Sequence, residues 1–425
     1  MQAKVLDIPP IVTDRERADE WVGQLEDLLL EVGQIFPRAD LRRRAAACVQ
    51  GLLGPASRKN GWQLAEYAGD TRPDGQQHLL DRARWDVDEL RDFVRRYAIA
   101  GLDDGGVIPH PVGAGVLVID ETGFAKKGRA SAGVARQFTG TLGGVFPCQV
   151  GVMTAWATGC GQALIDRELY LPREWTNDKE RCRAAHIPDE VGFAAKPRQA
   201  ERMIERILPD LPEGLVWVAA DEVYGRDGAF RAFLQAHCLP YAVTVQANQT
   251  VLPRPGWRHI AHLVERVAAE EDWVDLPAGP SQWGSRIWQW WVRRIPDPDS
   301  EVGGKAWARW VIARRRPEEP GERDYYLAWG PEETSVEALV MVPGARWQVE
   351  EAIKLAKSAC GMADYEVRSY HGWYRHITLA QLAAAFLAVQ SAQAARDSAP
   401  PVCGGERGAA DAEDRSHRPR AVQRL

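Results

Sequence analysis

The sequence contains no C-x-x-C pair, and its seven cysteines, at positions 48, 148, 160, 182, 238, 360 and 403, are odd in number and irregularly spaced. This excludes a disulfide framework and a cysteine-based zinc site, and it predicts buried thiols in a reducing compartment. The first twenty residues, MQAKVLDIPPIVTDRERADE, have no apolar signal core. No stretch reads as the roughly 18 consecutive apolar residues that a membrane span needs. A soluble, cytoplasmic protein with no membrane partner is therefore expected. Positive charge is not in excess either: 53 Lys and Arg stand against 59 Asp and Glu, a net charge of −6. Bulk attraction to nucleic acid is excluded, so any phosphate contact must come from local basic patches. A phosphate loop is also missing. Gly123 and Gly128 have a suggestive spacing, but Arg129 and Ala130 occupy the places where Lys and Ser or Thr belong.

What remains is a chain of 425 residues, 45% hydrophobic, long enough for two or three cores. From Asp14 to about Ala100 apolar residues recur at helical spacing, as in Trp21, Leu25, Leu28, Leu29 and Val32. Residues 1–105 are expected to form a helical N-terminal DNA-binding domain, in which Arg42 to Arg44 and the pair Arg58 and Lys59 are available to phosphates. After a Gly- and Pro-rich connection the texture changes. Val116 to Ile119 form a β-branched run that suits a strand buried on both faces, and the run ends on Asp120. Strand-like segments follow at CQVGVMTAWA and ALIDRELYL, then a helix from Pro197 to Leu208. A second buried run, LVWVAA, ends on Asp221, and YAVTVQA follows. The order predicts a mixed α/β sheet over residues 115–249.

Residues 250–335 break the rhythm and include tryptophans at 273, 283, 288, 290, 291, 307 and 310. RIWQWWVRRI and WARWVIARRR alternate aromatic with basic residues as strands, so a Trp-rich β insertion domain is expected here. Residues 336–390 hold helices, one from about Ala345 to Ala359 and a second around ITLAQLAAAFLAVQ. Residues 391–425, nearly free of bulky apolar side chains, read as a disordered tail.

Asp120 and Asp221 both end buried strands, at the sheet edge where α/β proteins bind ligands. The third acidic candidate lies in RWQVEEAIKLAK. At about 100° per residue from Arg346, Glu350 falls near 40°, Lys357 near 20° and Lys354 near 80°. Val349, Ile353, Ala356 and Cys360 make the buried stripe. Glu350 borders that stripe between basic side chains, whereas Glu351 points away at about 140°. The two histidines of HGWYRH, His371 and His376, lack the spacing of metal ligands and are expected to pack or to face DNA.

Three segments in order, VIDETGFAKKG, VAADEVYG and RWQVEEAIKLAK with its continuation to YEVRSYHGWYRHITLA, resemble the DDE transposases of bacterial insertion sequences. Arg346, Glu350 and Lys357 match the spacing of that family's Y-R-E-K signature, with Pro343 in the place of its Tyr; Tyr365 and Tyr370 are the candidates to replace it. The resemblance spans roughly residues 15 to 390. It implies an RNase H-like mixed sheet with a β-rich insertion domain and a triad of Asp120, Asp221 and Glu350 holding two Mg²⁺ ions, for which Mn²⁺ can substitute. It also implies DNA as partner, both terminal inverted repeats and target, with a homodimer assembling on it. The basic residues Lys126, Lys127, Arg129, Arg136, Arg293, Arg294, Arg346, Lys354 and Lys357 would position phosphates. Trp288 and Trp290 would stack on displaced bases. Two other functions are compatible with these residues. One is a nuclease that cuts without joining; the other is a decayed regulator that occupies transposon ends.

Overall fold

A computed structural model describes residues 15–103, 112–140, 143–251, 259–277, 287–296, 301–302 and 304–398. Five helices come first: α1 (Arg15–Gly33), α2 (Ala39–Leu53), α3 (Gly61–Tyr67), α4 (Asp74–Asp81) and α5 (Val87–Leu102). The starts of α3 and α5 are chemically marked. Asn60 Oδ1 accepts from the amides of Trp62 and Gln63, and Asp86 Oδ1 from those of Asp88 and Glu89, which satisfies donors that the first helical turn leaves open. In α5 the residues Leu90, Val94, Ala98, Ile99 and Leu102 are buried as one stripe.

The sheet follows: β1 (Gly115–Ala125), β2 (Ala135–Thr139), β3 (Gly144–Ala157) and β4 (Gln162–Tyr170). Small helices α6 (Arg173–Thr176) and α7 (Lys179–Ala184) and the longer α8 (Lys196–Ile207) lead to β5 (Val216–Ala220). Then come α9 (Glu222–Gly225), α10 (Gly228–Ala236) and β6 (Tyr241–Val245). β1 runs antiparallel to β3 and parallel to β5, and β5 is parallel to β6. With β4 paired to β3, the strand order β4-β3-β1-β5-β6 is a mixed α/β sheet of RNase H-like type. The Val116 to Ile119 run is fully buried, as its continuous apolar composition predicts.

The strands expected to form a separate insertion continue this same sheet. After α11 (Ile260–Val267) come β7 (Val274–Pro277), β8 (Ile287–Ile295), β9 (Glu301–Val302), β10 (Lys305–Arg316) and β11 (Glu319–Pro331). β11 pairs antiparallel with β6, Tyr241 opposite Trp329, and β10, β8 and β7 add outward from it. Trp290 and Trp291 therefore face opposite sides of β8. Trp290 joins the main core, while Trp291 packs with Ile260, Leu263 and Val264 of α11.

Two long helices complete the described chain, α12 (Val336–Ser358) and α13 (Tyr370–Ser398). α12 begins about nine residues before the expected Ala345. Pro343 suggests a stop in the sequence, yet it lies inside the helix and is buried, with Ser335 Oγ capping the start. Proline removes one helical hydrogen bond, and packing on both sides outweighs that loss. α13 corrects two readings. It extends through residues expected to be a tail, the remainder of which lies outside the described residues. It is also long and apolar enough to cross a membrane, contrary to the expectation that no segment is, but 78% of its most apolar window is buried inside the protein. Leu379, Leu382, Ala383 and Ala385 are fully buried, so the apolar run is that of a core helix.

No disulfide occurs among the described residues, and Cys48, Cys148, Cys182 and Cys360 are buried thiols. Burial pushes the Cys48 and Cys360 thiols up to about 12, which keeps them protonated and unreactive.

Candidate active site

The parallel pairing of β1 with β5 ends at Ile119 opposite Ala220. Asp120 and Asp221 are the next residue on each strand, so both carboxylates stand at the carboxyl edge of the sheet. β1 itself does not stop at Asp120 but runs on to Ala125 along β3. Asp221 is fixed from behind: its Oδ1 accepts the Val223 amide at 2.8 Å as it caps α9. A Cβ on Gly225 would lie 1.9 Å from the Thr244 carbonyl oxygen, so only glycine lets α9 lie directly on β6. Asp120 Oδ1 accepts the Glu121 amide at 2.7 Å.

Ligand oxygens of Asp120, Glu121 and Asp221 all lie within 4.8 Å of one another. The proximity has an electrostatic signature. Burial, then the charge of Asp221, raises the Asp120 carboxyl to about 7; burial, then the charge of Glu121, raises that of Asp221 to about 6.

Glu121 is the residue that sequence reasoning missed. Strand alternation sends it to the face opposite Asp120, yet Lys196 Nζ of α8 meets its Oε1 at 2.5 Å and the Tyr224 hydroxyl donates to its Oε2 at 3.1 Å. Both partners are remote in sequence, and the only local signal was an acidic pair just beyond an apolar run.

Glu350 approaches from α12. Its Oε1 lies 2.7 Å from Arg346 Nη1, and the same nitrogen is 3.5 Å from Asp120 Oδ2. Arg346 thus links the helix carboxylate to the strand carboxylate, and Glu350 stays half exposed outside the tight acidic group. Glu351 lies 3.4 Å from Lys354, whereas Glu350 is the member of the pair linked to Asp120 through Arg346.

The basic candidates divide into two sets. Lys357 reaches the site, but its ammonium donates to Thr122 Oγ1 at 2.6 Å and to the Gly123 carbonyl at 2.8 Å, and burial lowers it to about 8. Lys126 Nζ sits 3.4 Å from the centre of the Tyr365 ring and donates to the Tyr365 carbonyl; burial brings it to about 8 as well. Lys127, Arg129 and Arg136 are exposed beyond the end of β1, and Arg293, Arg294 and Lys354 are exposed on β8 and α12. Arg294 is paired with Glu332.

Trp288 is partly buried with the Arg314 guanidinium 4.2 Å from its ring centre. Trp290, expected to stack on a base, is corrected: it is 1% exposed, its indole nitrogen donates to the Leu276 carbonyl, and it packs the core. The candidate substitutes for the missing signature tyrosine are engaged elsewhere, Tyr365 with Gln149 and Tyr370 with Tyr374. His376 is buried against the Gly361 carbonyl, and His371 bonds the Asp81 carbonyl, so both histidines pack rather than ligate.

Residues 31–262, which include Asp120 and Asp221, match the family model described as DDE superfamily endonuclease. Over 329 residues, 75% of each sequence, the chain is 25% identical to a protein described as a probable transposase for insertion sequence element IS701, from Microchaete diplosiphon.

Proposed function

The chain belongs to the DDE superfamily of endonucleases, as a DNA-binding transposase of the insertion-sequence type, and from this premise we propose that it cuts transposon ends and joins them to target DNA at Asp120, Asp221 and Glu350. The observation that carries the proposal is the meeting of Asp120 and Asp221 at one sheet edge, with Glu350 tied to Asp120 through Arg346.

The donor set fits divalent metal. It offers hard carboxylate oxygens with mutual repulsion that a cation relieves, and it holds no thiolate or imidazole that would select a softer ion. Asp120 and Asp221 would hold Mg²⁺ between them, Glu350 would hold the second position, and Glu121, braced by Lys196 and Tyr224, would set the angle of the site. Divalent metal held there would stabilise the attacking and leaving oxygens of an in-line displacement at phosphorus. Arg346, charged at all working pH values, would release Glu350 and turn to a DNA phosphate. Lys357 would hold the β1 end in register through Thr122 and Gly123. Two ends brought together imply a dimer on DNA.

The test is a strand-transfer assay with a pre-cut end bearing a free 3′-hydroxyl. Joined product with Mg²⁺ or Mn²⁺ is expected. Nicking of an intact end without any joined product would make the protein a nuclease and overturn the transposase mechanism.

Metal binding is expected to release protons between pH 5 and 7. Asp120 and Asp221 hold their protons up to about 7 and about 6, and only the deprotonated forms ligate. Calorimetry in buffers of different ionisation enthalpy reads this directly. Mg²⁺ affinity should rise with pH through that window and level off above it; a flat profile would separate the metal from these two carboxyls.

A further inference from the structure

Between Glu121 and Asp166 the sequence holds no acidic residue, although the chain as a whole carries 59, and within this interval lie Lys126, Lys127, Arg129 and Arg136. The middle of the interval is the β2–β3 hairpin, with Phe138 paired to Val145 and Arg136 to Pro147. Residues opposite one another in an antiparallel ladder share a face. Here that face is apolar and bare: Phe138 is 69% and Val145 50% exposed. Soluble proteins seldom leave such a cluster uncovered unless something binds it.

The hairpin does not point into empty solvent. A Cβ on Gly123 would lie 2.2 Å from Thr139 Oγ1, so the hairpin folds over β1 three residues past Asp120. At the rise of a strand Gly123 stands roughly 10 Å along β1 from Asp120, and its Cβ direction lies on the face that Glu121 shares. Lys126 donates its backbone amide to the Pro147 carbonyl at 3.0 Å, which ties the base of the hairpin to the basic run after β1. The Gln137 side chain donates to the Gly133 and Cys148 carbonyls and stiffens the same base.

We propose that this hairpin is a DNA wedge, in which Phe138, backed by Val145 and flanked by Lys127 and Arg136 on phosphates, inserts at a base step beside the scissile phosphate. The inference rests on the transposase reading above. The exposed Lys127, Arg129 and Arg136 beside the ring favour a polyanion over a second copy of this −6 chain, and an aromatic ring set among cations suits an unstacked base. The 10 Å offset corresponds to about three base pairs. Opening the duplex there would give the carboxylates access to a phosphate that a stacked end would hold rigid.

The experiment uses the full chain and short duplexes taken from the DNA flanking its gene, with 2-aminopurine placed at successive positions around the cleavage point. The wild-type protein should raise the fluorescence several-fold at one step within about three base pairs of the cut. Phe138→Ser should remove that rise and weaken binding roughly tenfold, in line with the loss of one stacked base. Phe138→Trp should restore both. Because the ring is exposed, folding is not at stake, and an unchanged melting temperature confirms it. An unaltered fluorescence rise in Phe138→Ser would overturn the wedge, and so would a variant that loses only self-association in sedimentation. A wild-type protein that cuts the duplex without any rise sinks the wedge alone; one that neither binds nor cuts sinks the transposase reading with it.

Discussion

Asp120→Asn, Asp221→Asn and Glu350→Gln should each reduce metal-dependent nicking of the transposon end by on the order of 10⁴-fold, the loss expected when one member of a cooperating catalytic set is removed. Glu351→Gln should retain activity, because it is Glu350 and not Glu351 that Arg346 links to Asp120. The loss must be separated from misfolding, and the electrostatics of the site provide the means. The Asp120 carboxyl is held up to about 7 in the folded protein by burial and by Asp221. The folded state therefore binds this proton more tightly than the unfolded chain, and Asp120 lowers stability progressively as pH rises from the ordinary carboxyl range to about 7. Asparagine carries no charge and removes the effect. Asp120→Asn should accordingly melt at a higher temperature than wild type above pH 7 and lose that advantage near pH 4. An inactive variant that is more stable cannot owe its inactivity to unfolding. If Asp120→Asn melted lower than wild type at pH 8, the crowding of carboxylates described above would be wrong.

The second large effect lies away from the site. Asp166 on β4 is fully buried, and its carboxylate receives Arg206 of α8 through Nε at 3.2 Å and Nη2 at 3.0 Å. Arg95 of α5 lies 3.9 Å away and Arg167 3.8 Å away, both almost fully buried. Arg95 continues to Asp210 at 2.6 Å and to Asp92 at 2.9 Å. This network joins the helical N-terminal region to the catalytic sheet. Asp166→Asn removes the fully buried carboxylate at the centre of the cluster and leaves Arg206 only Glu168 and Arg95 only Asp210 and Asp92; breaking a buried pair of this kind costs about 3–5 kcal/mol. A fall in melting temperature of roughly 10 °C is expected. Glu319→Gln, which breaks the exposed pair with Arg316, should shift stability by no more than about 0.5 kcal/mol and serves as the contrast. Equal effects from the two substitutions would mean that the Asp166 cluster is solvated and does not anchor the helical region.

Much of the sheet was legible in the sequence because strands buried on both faces need uninterrupted apolar runs. Val116 to Ile119 and Val216 to Ala220 both met that need, and both placed an aspartate at their ends. The angular position of Glu350 was legible for a similar reason, since one helix face had to be apolar. What the sequence concealed depends on residues far apart in the chain. Nothing local indicates that Lys196 and Tyr224 draw Glu121 to the edge, or that β11 pairs with β6 so that the Trp-rich strands extend the sheet. The aromatic and basic alternation of β8 suggested rings facing DNA. A strand with a core on each side buries Trp290 and Trp291 alike, and only Trp288, nearer the strand end, stays partly open. Pro343 and the apolar run of α13 misled in opposite directions, and in each case the packing around the helix decided its extent or setting.

The central claim concerns where metal binds. Crystals of the protein with transposon-end DNA, soaked in Mn²⁺, can be measured at the manganese absorption edge. Two anomalous peaks about 4 Å apart are expected, one between Asp120 and Asp221 and one reached by Glu350 after it leaves Arg346. Peaks that avoid Asp120 and Asp221, or a single peak that leaves Glu350 on Arg346 while the DNA is cut, would contradict the account.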